Sequence, residues 1–174
     1  MIYLNNYGWN DKLSQLKQES TYNALTHGRI SIVHRTCYEV VSENGLFQCE
    51  LTGNMMYGKS DIELPCTGDW VLFQPFDEHK GIIVDMLPRE RTLYRKKNGT
   101  VAYNQAIASY VDKAFSVVSL DDNFNVRRAE RFMVQMQEEN INPVLVFNKA
   151  DLGFDEQKVE EQIIKMGNAY LVAF

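Results

Sequence analysis

The feature that most constrains this chain is a short apolar run that ends abruptly in polar residues. Val144, Leu145, Val146 and Phe147 are consecutive, and such a run reads as a strand buried on both faces of a parallel sheet. It stops at Asn148-Lys149-Ala150-Asp151. Open α/β sheets bind ligands at the carboxyl ends of their strands, so the residue types at this point matter. A carboxylate at Asp151 can accept two hydrogen bonds, an Asn148 carboxamide can bond a base edge, and the Lys149 stem can lie along a flat ring. Guanine offers an N1–H and an exocyclic amino group that adenine lacks. A polar site of this kind rejects a base that leaves its carboxylate unpaired. Asn148, Lys149 and Asp151 are therefore the candidate guanine-binding residues, and the bland alternative is a turn that caps the next helix.

The rest of the chain divides by texture. Residues 1–27 form an N-terminal leader, with a helix predicted from Asn10 through Leu13 and Leu16. From Gly28 the pattern is β-rich. Strands are expected over Ile30–Val41, Leu46–Leu51, Asp69–Phe76 and Gly81–Leu87, with a hairpin at Asn44-Gly45 and a polar turn at Asp77–Lys80. Short strands at this spacing suggest a small closed barrel, and a five-stranded OB-fold suits residues 28–97. Pro88–Lys97 carries Arg89, Arg91, Arg95, Lys96 and Lys97 with Tyr94 between them. This stretch is either a solvated final strand or an arm that contacts RNA phosphates. Residues 98–110, opening on Asn98-Gly99-Thr100, read as a linker. After it the order is strand (Ala114–Leu120), helix capped by Asn125, the Asn148 strand, helix (Asp155–Met166) and strand (Ala169–Phe174). Residues 111–174 thus read as the first part of an α/β nucleotide-binding domain.

One motif misleads. Gly53-Asn54-Met55-Met56-Tyr57-Gly58-Lys59-Ser60 matches G-x-x-x-x-G-K-S letter for letter. Such a loop cradles phosphates only when it leaves a buried strand and enters a helix. Here the preceding run alternates with Gln48 and Glu50, while Pro65 and Gly68 would break a following helix. No D-x-x-G follows to hold magnesium. The stretch is expected to be a mobile loop between barrel strands. The rival reading is a conventional nucleotide site on Gly58, Lys59 and Ser60.

The net charge of −5 gives no global pull toward nucleic acid, so RNA contact must come from a local patch. Cys37, Cys49 and Cys66 show no metal-ligand spacing with one another or with the three histidines. They read as reduced thiols of a cytoplasmic protein. No metal ligand and no catalytic residue is assigned, and no run approaches membrane-spanning length.

Placed in order, these pieces resemble the circularly permuted, small-ribosomal-subunit-dependent GTPases of the RsgA family. Gly8-Trp9, Gly28-Arg29, Leu64-Pro65-x-x-Gly68-Asp69-Trp70-Val71, Leu87-Pro88-Arg89, Leu93-x-Arg95, Gln105–Ala108, Val111-Asp112, Arg131 and Asn148–Leu152 carry the resemblance. Ser109-Tyr110 departs from it, standing where the family commonly has Ala-Asn. The resemblance implies an OB domain that contacts ribosomal RNA, then the opening of a permuted GTPase domain. GTP, magnesium, the true phosphate loop and a zinc-binding C-terminal domain would belong to a longer, monomeric protein acting on the small subunit, without DNA or membrane. Alone, residues 1–174 are expected to be inactive. The alternative is a stand-alone OB-fold RNA-binding module.

Overall fold

The structure, a computed structural model, describes residues 1–58, 60, 62–96, 104–119, 125–149, 151, 157, 161 and 170–173. It separates into two compact units, Met1–Tyr110 and Val111–Phe174.

The first unit is built on a closed five-stranded barrel. Its strands are β1 (Thr26–Val33), β2 (Tyr38–Ser42), β3 (Gly45–Leu51), β4 (Trp70–Asp77) and β5 (Lys80–Met86), joined in the order β1-β2-β3-β5-β4 and back to β1. All neighbours are antiparallel except β3 and β5. This is the OB-fold arrangement expected from the strand spacing. Closure follows from the alternation along β3, where Phe47 and Cys49 point inward and Leu46, Gln48 and Glu50 point out. Inside, Ile30, Val40, Phe47, Val71, Phe73 and Ile83 form the core, with the Phe47 and Phe73 ring centroids 5.2 Å apart. Each fully buried side chain of this kind contributes about 1.5–3 kcal/mol. Gly28 lets β1 pass close to β2, because a Cβ there would lie 2.6 Å from the Val41 carbonyl oxygen.

Two expectations change. The Ile30–Val41 run is two strands, because the chain reverses at 34–37, where the His34 N–H donates to the Cys37 carbonyl over 2.8 Å. Residues Gly53–Gly58 are not a mobile loop but a short helix, α2, held by Met55 buried in the barrel core. The Asn44-Gly45 hairpin is present, with Gly45 at φ +127° and Ser42 paired to Gly45.

Residues 1–27 supply a second core. Helix α1 (Asp11–Glu19) starts where the Asn10 side chain accepts from the Leu13 N–H. Leu4 and Leu13 pack with Val41, Trp70, Leu72 and Leu87. Beyond the barrel, β6 (Leu93–Lys96) and β7 (Asn104–Ala108) pair as an antiparallel ribbon. Asn98-Gly99-Thr100 lies outside the described residues.

The second unit is a parallel sheet of β8 (Lys113–Ser119), β9 (Asn142–Asn148) and β10 (Tyr170–Ala173), in the order β10-β9-β8. Helix α3 (Val126–Glu138) connects β8 to β9, capped by Asn125 accepting from the Arg128 N–H. It buries Ala129, Met133 and Met136, and the sheet buries Ala114, Leu145 and Phe147. The helix expected at Asp155–Met166 falls outside the described residues. Among the described residues no helix is long and apolar enough to cross a membrane.

Burial pushes the Cys49 thiol up to about 12, and burial with the Asp69 charge does the same for Cys66. The thiolate is the reactive form, and a rise of about three units leaves both thiols about a thousandfold less ionised at neutral pH. Native protein treated with iodoacetamide at pH 8 is therefore expected to take up label at half-exposed Cys37 alone. Urea should release the other two, as counted by mass spectrometry.

Candidate functional site

The guanine candidate is built at the carboxyl end of the middle parallel strand. Buried Leu145 and Phe147 anchor β9 and deliver Asn148 to the strand's last position, paired in register with Ser119 at the end of β8. Asn148 Oδ1 accepts the Lys149 N–H at 2.8 Å. Lys149 then takes φ +63°, a left-handed conformation rare for a residue with a side chain. The left-handed backbone at Lys149 ends the strand there. Asn148, Lys149 and Asp151 are all exposed, while Ala150 lies outside the described residues. The strand thus brings Asn148 to the carboxyl-end edge of the sheet, the edge at which open α/β sheets generally bind ligands. Among the described residues this edge holds no nucleophile and no phosphate cradle.

The Gly53–Ser60 look-alike is arranged differently. Its first six residues are helical, so the Met56 N–H donates to the Thr52 carbonyl at 3.0 Å instead of facing an anion. Ser60 is engaged as well, since Glu63 accepts from both its N–H and its hydroxyl, at 3.0 and 2.6 Å. Lys59 lies outside the described residues.

The five cations expected on an RNA-contacting arm are not equivalent. Arg89 is an internal strut. Its Nε and Nη2 grip the fully buried Asp69 carboxylate, the shortest N···O separation being 2.7 Å, and its Nη1 and Nη2 donate to the Ile62 and Leu64 carbonyls. Burial works against the Arg89 charge, but hydrogen bonding to Asp69 and the Asp69 charge outweigh it and raise the guanidinium above its ordinary range. A guanidinium so engaged points its donors inward, away from any phosphate outside. Arg91 sits at φ +43° with Nη1 3.3 Å from Glu90, whose carboxylate also takes Lys12 Nζ. Hydrogen bonding from Lys12 holds the Glu90 carboxyl below its usual range. Arg95 is exposed on the β6–β7 ribbon, opposite Gln105, and Lys96 pairs with Asn104. Lys97 lies outside the described residues.

Sequence reasoning missed this Asp69–Arg89 hub. Its signal was present, because Asp69 is a lone carboxylate between Gly68 and the apolar Trp70–Phe73, and a charge there needs a partner. The same region fixes Ser109-Tyr110. Gly68, at φ +94°, lies so near Ser109 that an added Cβ would meet its carbonyl oxygen at 2.3 Å. The Tyr110 N–H donates to the Glu90 carbonyl, its hydroxyl donates to the Pro88 carbonyl, and burial pushes its phenol up to about 12.

Comparison with known proteins gives the family. The model of the RsgA GTPase family matches residues 86–173. The chain belongs to the RsgA GTPase family. Among curated RsgA relatives, "Small ribosomal subunit biogenesis GTPase RsgA 1" of Bacteroides thetaiotaomicron is 69% identical over 157 residues, covering 90% of this chain and 44% of that protein. The RsgA protein of Methanosarcina acetivorans is 32% identical over 159 residues, covering 90% and 42%. The chain thus spans less than half the length of these relatives. Its fold is similar to that of YloQ, described as a circularly permuted GTPase (TM-score 0.57, 22% identity, 90% of this chain and 54% of that one). It is also similar to YjeQ from Thermotoga maritima (TM-score 0.60, 21% identity, 85% and 51%).

Replacing Arg89 by Met strands a fully buried carboxylate, and breaking such a pair costs about 3–5 kcal/mol. Urea unfolding of Arg89→Met should show that loss, and Asp69→Leu combined with Arg89→Met should recover most of it. A loss below about 1 kcal/mol would mean a solvent-screened surface pair.

Proposed function

We propose that this chain is the RNA-gripping and guanine-reading part of a GTPase that assists late maturation of the small ribosomal subunit in the cytoplasm. The observation that carries the reading is the Asn148 turn at the carboxyl end of a central parallel strand, with Asp151 following, in a chain of the RsgA family. Asp151 accepts from guanine, Asn148 bonds the base edge and ties the turn, and Lys149 packs on the ring. The assignment divides the chain into a leader (1–27), an OB domain (28–97), a linker (98–110) that carries strand β7 and stays with the first unit, and a partial permuted GTPase domain (111–174). The phosphate loop, the magnesium site and a zinc domain fall to the part of the relatives' length that this chain does not span. Among the described residues no cluster of His, Cys, Asp or Glu could hold a metal ion, so no step is assigned through one here. These 174 residues bind guanine weakly and hydrolyse nothing, because phosphoryl transfer needs a phosphate cradle, a metal and a positioned water.

Ribosomal RNA is held by Arg91, Arg95, Lys96 and Lys97, of which Arg95 and Lys96 lie on the β6–β7 ribbon. Arg89 supports this surface from within. The protein acts as a monomer.

In the longer protein that carries a complete nucleotide site, Asp151→Asn should weaken GTP by about ten- to a hundredfold, the worth of one charged hydrogen-bonding group. It should strengthen xanthosine triphosphate, and unchanged base preference in a fluorescent-nucleotide titration would sink the assignment. Tight GTP binding by these 174 residues that Lys59→Ala abolishes would move the nucleotide to Gly53–Ser60.

The RNA reading has its own check. Changing Arg95, Lys96 and Lys97 to Gln together should lower the salt slope of binding to small subunits by about 2–3, roughly one for each phosphate no longer neutralised. An unchanged slope means the ribbon does not touch the backbone.

A further inference from the structure

The β6–β7 ribbon carries more than cations. Its strands read Leu-Tyr-Arg-Lys and Asn-Gln-Ala-Ile-Ala, with no carboxylate in either, in a chain whose net charge is −5. The ribbon is fastened to its unit, because Thr67 bridges to Ala108, the Ser109 N–H donates to the Thr67 carbonyl at 2.9 Å and Ala106 is buried. Arg95 stands opposite Gln105, and both are exposed. The ladder then slips. Tyr94 pairs with Ala106 and Leu93 with Ala108, which leaves Ile107 as an extra residue with no counterpart across the ribbon. Such a β-bulge re-aims a side chain, and bulges recur beside binding sites. Ala106 is buried between Gln105 and Ile107, so exposed Gln105 and 43%-exposed Ile107 lie on one face. Half-buried Tyr94 alternates away with Ala106, so the apolar surface beside Arg95 comes from Ile107. Among the described residues neither the Arg95 guanidinium nor the Gln105 carboxamide has a side-chain partner.

We infer that this face reads an unpaired adenine of RNA, with Gln105 as the residue that specifies it. The inference rests on the RNA reading of the ribbon and goes beyond it, since phosphate contacts position a strand but carry no sequence information. RNA sequence is read mainly on unpaired bases, because the deep groove of the A-form duplex is closed to side chains. A carboxamide offers a donor and an acceptor side by side. Adenine complements them on two edges, with its N6 amino group beside N7 on one and beside N1 on the other. Guanine's N7 and O6 are both acceptors, and a pyrimidine has no second edge of this kind. Adenine's fused rings also cover more of Ile107 than a pyrimidine ring does. Arg95 takes a neighbouring phosphate, as a cation beside a base reader does.

The test titrates the 174-residue protein into fluorescein-labelled oligoadenylate, oligocytidylate and oligouridylate, each about twelve nucleotides long, at low salt. Oligoadenylate should bind about fivefold more tightly than either pyrimidine strand, the lower end of what one bidentate base contact contributes. It should also shift the side-chain amide resonances of Gln105. Gln105→Leu should erase the preference and leave the salt slope unchanged. Arg95→Gln should do the reverse, weakening all three strands alike and lowering the slope by about one. Both residues are exposed, so an unchanged melting temperature shows that the variants fold. Equal binding of the three strands overturns the inference, as does a pyrimidine preference or an adenine preference that survives Gln105→Leu. If Arg95→Gln still lowers the slope in those cases, the RNA reading of the ribbon stands without the base contact. If no strand binds, or neither variant matters, both fall.

Discussion

A single buried ion pair ties the first unit together. Asp69 has no exposed side-chain surface, yet its carboxylate receives Arg89 and the Cys66 N–H at 2.7 Å. Arg89 reaches past it to the Ile62 and Leu64 carbonyls, and the Asp69 backbone accepts from Ile30 in β1. Through its carboxylate and its backbone carbonyl, one residue therefore joins β1, the segment before β4 and the exit from β5. Removing either partner leaves a charge where water cannot reach it, so these three segments hold or fail together. The close approach of Gly68 to Ser109 and the hydrogen bonds of Tyr110 gather the chain after the ribbon onto the same region.

The Gly53–Ser60 stretch shows what a phosphate-loop signature means physically. The letters specify residues, but phosphate binding needs unpaired N–H groups aimed at one point. Here the Met56 N–H is spent on the Thr52 carbonyl, Met55 is drawn into the barrel core and Glu63 occupies Ser60. The Asn148 motif has the opposite character. Its strand is fixed by Leu145 and Phe147, its turn is fixed by the Asn148 side chain, and its polar groups face solvent.

Among the described residues of the second unit, β8 is buried on one face and exposed on the other. Ala114, Leu145 and Phe147 are buried, whereas Phe115 and Val117 on the alternate face of β8 are 61% and 62% exposed. Parallel sheets are stable when both faces are covered.

Several features were legible in the sequence because they are local. The alternation of β3, the Asn44-Gly45 turn, the Asn10 and Asn125 caps and the apolar run into Asn148 each state their conformation within a few residues. Family membership was legible for the same reason, since short motifs in a fixed order carry it. Other features depended on residues far apart in the chain. The reversal at 34–37 was hidden because both flanking segments are equally β-prone, and only pairing of Tyr38 with Cys49 and Val33 with Tyr38 separates them. Arg89 looked like its basic neighbours until burial placed it against Asp69, twenty residues earlier. The sequence by itself determined the barrel, the parallel strands and the placing of Asn148 at a strand end, because periodicity and turn chemistry are short-range. Tertiary structure alone decided which cations face outward and which hold the core, because burial and charge pairing are set by the partners that folding brings together.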